Sequence, residues 1–172
     1  MPALKSITFA YRHREDRVLA AVNLGKAEAW SCWLTRRLSL AVLERAQKFL
    51  ATTSPLAQRA APDHRSELAA FERDAAMATT AGAMSATPTD ALAASATSAE
   101  LADRLTVTRQ GDGFLLQLTG DRGGGTSGVV LRAELQRILG MLEGEVIKAG
   151  WVNAMAAPAA GAQEGASKPA RH

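Results

Sequence analysis

Residues Ile7 to Tyr11 alternate in polarity, with Ile7, Phe9 and Tyr11 on one side and Thr8 and Ala10 on the other, the period of two that a strand requires. A polar stretch, His13-Arg14-Glu15-Asp16, interrupts the alternation. It resumes with Val18, Ala20, Val22 and Leu24 on one face, and Asn23 and Gly25 close it, so Arg17 to Leu24 completes a hairpin. The next segment, Glu28 to Leu34, is rich in β-formers and apolar on both faces, with Trp30, Cys32 and Leu34 against Trp33. It is expected to be the most buried strand of this half. At Thr35 the period changes: Leu38, Ala41, Val42, Ala46 and Phe49 fall at helical spacing, which predicts a helix over roughly Arg36 to Thr52 with Thr35 as its cap.

The pattern then weakens. Pro55 and Pro62 stop the helix, and Asp63 can cap a modest helix over about 63–79 carrying Leu68, Phe71 and Ala75 on one side. From Ala81 to Ala96 the chain is Ala, Ser and Thr with one Pro, one Gly, one Asp and only Met84 and Leu92 as larger apolar residues, which predicts a flexible linker. Thr97-Ser98-Ala99-Glu100 has the form of a capping box before the next strand.

Alternation returns in Leu105, Val107 and Arg109 against Thr106 and Thr108. Gln110-Gly111-Asp112-Gly113 marks a turn, and Phe114 to Thr119 forms a second strand with Phe114, Leu116 and Leu118 on one face. A Gly-rich loop, Gly120 to Gly128, leads to a third apolar segment, Val129 to Leu131. Leu135, Ile138, Leu139, Leu142 and Val146 then predict a second amphipathic helix that Gly150 ends before Trp151. A shift of 97 residues places Leu38, Ala41, Val42 and Phe49 on Leu135, Ile138, Leu139 and Val146, although residue identity across the shift is negligible.

The expected fold is therefore α+β: two βββα-like halves joined by an Ala-rich helical or flexible linker and sharing one core. The halves cover residues 1–52 and 101–152, the linker 53–100, and a disordered tail 153–172. Composition sharpens this division. The large apolar residues number 18 in residues 1–50, 6 in 51–100, 18 in 101–151 and 2 beyond, so the core material lies in two matched pools. Each pool spans about 50 residues, near the lower limit for folding alone, which is why the two are expected to share a core.

Net charge is +3, with 12 Lys/Arg against 8 Asp/Glu in residues 1–75, too mild a bias to imply nucleic acid by itself. A single cysteine, Cys32, excludes an internal disulfide framework and a multi-cysteine zinc site. No apolar run reaches the ~18 to 20 residues needed to cross a bilayer, and no signal-peptide pattern opens the chain, so no membrane partner and a cytoplasmic location are expected.

Candidate chemistry is sparse. Gly123, Gly125 and Gly128 have the spacing of a dinucleotide-binding loop, but here the loop leads into a strand instead of a helix, which favours a mobile hairpin loop. His13, His64 and His172 have no ligand spacing, and Cys32 sits between two tryptophans where burial blunts a thiol. Glu15, Asp16 and Asp112 lie on turns, where carboxylates keep ordinary acidity. No catalytic constellation, cofactor or metal is expected.

Two surfaces remain. Arg12, Arg14 and Arg17 flank the first turn, and Arg36-Arg37 open the first helix, the unfavourable end of its dipole for positive charge. Such a patch would suit an acidic partner or a single-stranded nucleic acid, with Tyr11, Trp30 and Trp33 as stacking faces. Whirly and PUR-type single-strand binders offer an architectural analogy only. Leu40, Leu43 and Leu50 on the first helix, Met141 and Ile147 on the second, and Trp151 exceed what one sheet face needs, and are candidate contacts to a partner or a second copy.

Glu15-Asp16-Arg17 followed by Trp33-Leu34-Thr35-Arg36-Arg37-Leu38 resembles a pattern in small bacterial proteins in which a hairpin with Glu-Asp-Arg at its turn precedes a Trp-Leu-Thr-Arg-Arg helix start. The likeness covers about the first 50 residues and the Ala149 to Trp151 ending; it implies a shared fold and carries no activity. The leading expectation is a non-catalytic bacterial interaction module, an adaptor or accessory protein that binds a protein or itself as a homodimer. The alternative is a single-stranded nucleic-acid binder.

Overall fold

The computed structural model describes residues 1–54, 59–80 and 89–152. Six strands form one mixed sheet in chain order: β1 (Ile7–Arg12), β2 (Arg17–Val22), β3 (Trp30–Leu34), β4 (Glu100–Gln110), β5 (Gly113–Gly120) and β6 (Gly125–Val130). Among the described residues there are four α-helices: α1 (Arg36–Thr53), α2 (Arg65–Thr80), α3 (Thr89–Ser98) and α4 (Arg132–Lys148). The fold is α+β, as the periodicity predicts.

β1 to β3 pair antiparallel, as do β4 to β6. The two groups join through a short parallel ladder in which Cys32 faces Glu100 and Trp33 faces Leu101. At the other side Ala3 forms a parallel bridge to Ser127; the Leu4 N–H donates to the Ser127 carbonyl at 2.8 Å, and Thr126 Oγ1 donates to the Pro2 carbonyl at 3.0 Å. The residues that lead into β1 thus lie along β6, so the sheet must curl until one stretch of chain links its outer strands. Asn23 fixes that strap. It is fully buried in a left-handed conformation (φ 50°) that Asn tolerates better than most residues, and its Oδ1 accepts from the Lys5 and Ser6 amides while Nδ2 donates to the Ala3 carbonyl.

The concave face carries one hydrophobic core drawn from both groups, including Phe9, Val18, Cys32 and Leu34 with Phe114, Leu116 and Leu118. α1 and α4 fill it with Val42, Ala46 and Leu50, and with Leu135, Ile138, Leu142 and Val146. α4 closes at Gly150, whose φ of 67° needs no side-chain accommodation, and the Trp151 N–H returns to the Val146 carbonyl. α2 lies against α1 and α4 and is clamped by charge. Arg132 donates to Glu72 Oε2 at 2.9 and 3.1 Å, to the Leu50 carbonyl at 2.6 Å and to Thr53 Oγ1 at 3.2 Å, while Ser54 Oγ donates to Glu72 Oε1 at 2.7 Å.

Several expectations are corrected. β2, not β3, is the most buried strand of its group: Val18 to Val22 are all buried, because α3 covers the convex face beneath Leu19 and Ala21. α3 occupies residues assigned to a flexible linker. It packs on β3 and β2, and Ser31 Oγ donates to the Ser95 carbonyl at 2.7 Å, so small residues suffice where a helix lies close to a sheet. Glu100 does not cap a helical turn; it begins β4. Residues 81–88, the rest of the expected linker, and the expected tail from Asn153 fall outside the described residues.

Candidate functional site

The β1–β2 turn and the start of α1 lie at one end of the sheet, because Arg12 faces Arg17 and Val18 faces Leu34. The fold therefore brings Arg12, Arg14, Arg17, Arg36 and Arg37 to a common end, and none of the five forms an ion pair with a described carboxylate. The turn itself is rigidly built. Asp16 adopts a left-handed conformation (φ 46°), and its Oδ1 accepts from Trp151 Nε1 and from the Tyr11 hydroxyl, each at 3.0 Å. Those two hydrogen bonds, with the charges of Arg36 and His13, hold the Asp16 carboxyl below its ordinary range, contrary to the ordinary acidity expected on a turn. Burial and the neighbouring Asp16 raise the Tyr11 hydroxyl. Arg36 Nη2 donates to the Trp151 carbonyl at 3.4 Å, which offsets part of its placement at a helix N-terminus.

The aromatic trio does not assemble. Tyr11 packs edge-on against Trp151 with ring centroids 5.7 Å apart. Trp30 lies at the other end of the hairpin opposite Val22, and its Nε1 donates to Glu100 Oε1 at 3.0 Å. Trp33, opposite Leu19, points to the convex face. Each tryptophan instead joins β1–β3 and α1 to the second group: Trp30 to Glu100, Trp33 alongside Leu101, and Trp151 to Asp16.

The Gly-rich loop is likewise anchored. Glu100 Oε2 accepts from the backbone amides of Arg122 and Gly124 at 3.0 and 3.2 Å, and the Trp30 indole hydrogen bond, followed by these two amides, lowers the Glu100 carboxyl below its ordinary range. A Cβ at Gly124 would run into Glu100 and Trp30, so close approach to a carboxylate explains this glycine without a nucleotide. Half of the expected loop is in fact strand, since β6 starts at Gly125. Cys32 is fully buried, and burial together with the charge of Glu100 pushes its thiol up to about 12. Among the described residues no group of three or more His, Cys, Asp or Glu could hold a metal ion, and no helix is long and apolar enough to cross a membrane.

Of the apolar partner candidates, Leu43, Leu50 and Trp151 are taken up by the chain's own core, and Leu40 and Met141 pack against it. Ile147 alone of the six is an exposed large hydrophobic residue, 54% accessible.

One open feature lies along β4. β4 pairs with β3 only through Glu100 and Leu101. From Arg104 to Gln110 it is paired on the β5 side alone among the described residues. Beside that free edge runs a groove of about 550 Å³ between β4 and α1, floored by Leu38, Ala41, Phe49, Leu105 and Val107 and flanked by Arg45, Arg104 and Asp103. A helix lies against the first strand of each group, α4 against β1 and α1 against β4, but at β1 Glu145 Oε2 also accepts from the Tyr11 amide at 2.8 Å. Edge strands are ordinarily blunted by a charge, a proline, a bulge or a covering element; here Arg104 and Arg109 bracket the free stretch and the register shifts between Ala102 and Arg104, while Leu105-Thr106-Val107-Thr108 between them is uncharged. The signal available in the sequence was this uncharged β-forming run, with Leu38 and Ala41 on the flank of the helix.

Compared with protein-family models, with curated proteins and with solved structures, the chain matches none.

Proposed function

We propose that this chain is a non-catalytic protein-interaction module, an adaptor or accessory protein, that receives an extended segment of its partner along β4. The observation that carries this reading is the free β4 edge beside an apolar groove, where backbone hydrogen bonds supply affinity and the groove supplies side-chain pockets. The test is an array of extended peptides probed with the full chain and with Ala41→Arg, which fills the groove from a half-buried helix position. Binding by the parent chain that Ala41→Arg abolishes, with both proteins melting alike, supports the reading. No retained peptide, or equal retention by both proteins, overturns it.

A second reading, a single-stranded nucleic-acid binder, is supported by the five arginines at one end without ion-paired carboxylates. With the aromatic trio dispersed, such binding would rest on phosphate contacts alone. Anisotropy with single-stranded oligonucleotides at ~50 mM and ~200 mM salt decides it: affinity should fall steeply between the two, and no binding at the lower salt ends the idea.

A further inference from the structure

We propose that the segment received by β4 is acidic: an extended peptide with apolar residues at alternate positions and carboxylates between or beside them. This rests on the strand-addition reading above and adds the chemistry of the occupant. Three observations converge on it. The flanks of the groove carry Arg45 and Arg104 against the single carboxylate of Asp103, and Arg109 continues the same strand. Arg45, Arg104 and Asp103 are all exposed, and neither Arg45 nor Arg104 is ion-paired with a described carboxylate. The molecule also shows how it closes a comparable edge within itself, by presenting the Glu145 carboxylate to the Tyr11 amide of β1.

The floor sets the alternation. Leu105 and Val107 face Leu118 and Leu116 across β5, so they point to the core side, while Thr106 and Thr108 point away. A strand added beside them would place every second residue over Leu38, Ala41 and Phe49, which accept apolar groups, and guanidinium groups at the rim would meet carboxylates. A second copy of the chain fits this surface less well than an acidic strand. Pairing β4 with its own copy would set a strand bearing Arg104 and Arg109 against one Asp103 beside the same rim, adding positive charge to positive charge.

The experiment titrates three fluorescein-labelled peptides of equal length into the full chain: Val alternating with Glu, with Lys and with Thr. The Val/Glu peptide should bind about 10-fold or more tighter than the Val/Lys peptide, the difference should shrink with salt, and Arg45→Glu with Arg104→Glu should invert the order. Both arginines are exposed, so the double variant should melt with the parent chain; Arg45→Gln with Arg104→Gln, which should level the three affinities, is the milder check. Equal binding of all three peptides, or an order the charge reversal leaves unchanged, overturns the acidic preference while leaving strand addition intact. Binding by none of them overturns both. A dimer by light scattering that the Val/Glu peptide does not dissociate would assign the edge to a second copy and overturn the proposal.

Discussion

Arg132→Met tests whether α2 is held by its buried charge. Removing one partner of a fully buried ion pair costs about 3–5 kcal/mol, because the other charge is stranded, whereas an exposed pair is worth about 0–1 kcal/mol. The Arg132 and Glu72 side chains are 21% and 13% accessible, closer to the first case. Arg132 also satisfies the Leu50 carbonyl at the end of α1, and Met replaces its aliphatic stem, so packing is largely retained. We expect a loss of about 2–3 kcal/mol for Arg132→Met. Glu72→Gln keeps the shape and can still accept from Ser54, so about 1–2 kcal/mol is expected. The double variant should be less destabilised than the sum by about 1–2 kcal/mol, since the second change removes the stranded charge left by the first. Urea denaturation of the full chain measures all four proteins; with slopes of about 1–3 kcal/mol per molar, Arg132→Met should lower the midpoint by roughly 1 M. A loss below about 0.5 kcal/mol, or strict additivity in the double variant, would refute the view that this pair clamps α2.

Glu100 holds its proton less tightly in the folded chain than in the unfolded one, so its contribution is present above its ordinary value of 4.5 and is lost as pH falls through the lower folded value. The melting temperature of Glu100→Gln should therefore lie below the parent's near neutrality and converge with it on acidification; a constant gap down to about pH 3 would contradict this. Cys32 should resist a thiol-reactive disulfide reagent at about pH 8 until denaturant is added, and labelling within seconds in the native state would refute its burial. Ser39 is fully buried with an unpartnered hydroxyl, so Ser39→Ala should raise stability by about 1 kcal/mol in chemical denaturation, and a loss would mean the hydroxyl is satisfied. Gly124→Ala should cost about 1–3 kcal/mol by pushing Glu100 and Trp30 apart, and a neutral result by the same measurement would show that the loop yields freely.

What was legible in the sequence follows from how far each signal reaches. The strands around Phe9, Val18 and Leu116 and the helices around Val42 and Leu139 announce themselves because each must turn one face to a core, and that demand is written at period two or 3.6 within a few residues. α3 escaped because its partner is not itself: Ala and Ser look like a linker until β2 and β3 offer Leu19, Ala21 and Ser31 on their convex face. At Glu100 three residues of local context fit a capping box, while its real partners, Trp30 and the amides of Arg122 and Gly124, lie 70, 22 and 24 positions away. The arginine cluster was found because a hairpin turn and a helix start can be placed from sequence, but the dispersal of Tyr11, Trp30 and Trp33 depends on register. The β4 edge is half legible: the uncharged run Leu105 to Thr108 stands in the sequence, but whether a strand has a neighbour on both sides is a property of the pairing, and β3 ends at Leu34 before it can cover β4.

The strap of Pro2 to Leu4 along β6, with Trp151 seated on Asp16, has a consequence for how this chain comes into being. Thr126 and Pro2 are 124 positions apart, and Trp151 and Asp16 are 135. Contacts of such high sequence separation form late and slow the search, because loop closure must precede any reward. The first hairpin leaves the ribosome more than a hundred residues before the helix that covers β1. Until α4 is made, the apolar face of Phe9, Val18 and Leu34 has only α1 to shield it, and that half-built sheet is the species a chaperone would meet.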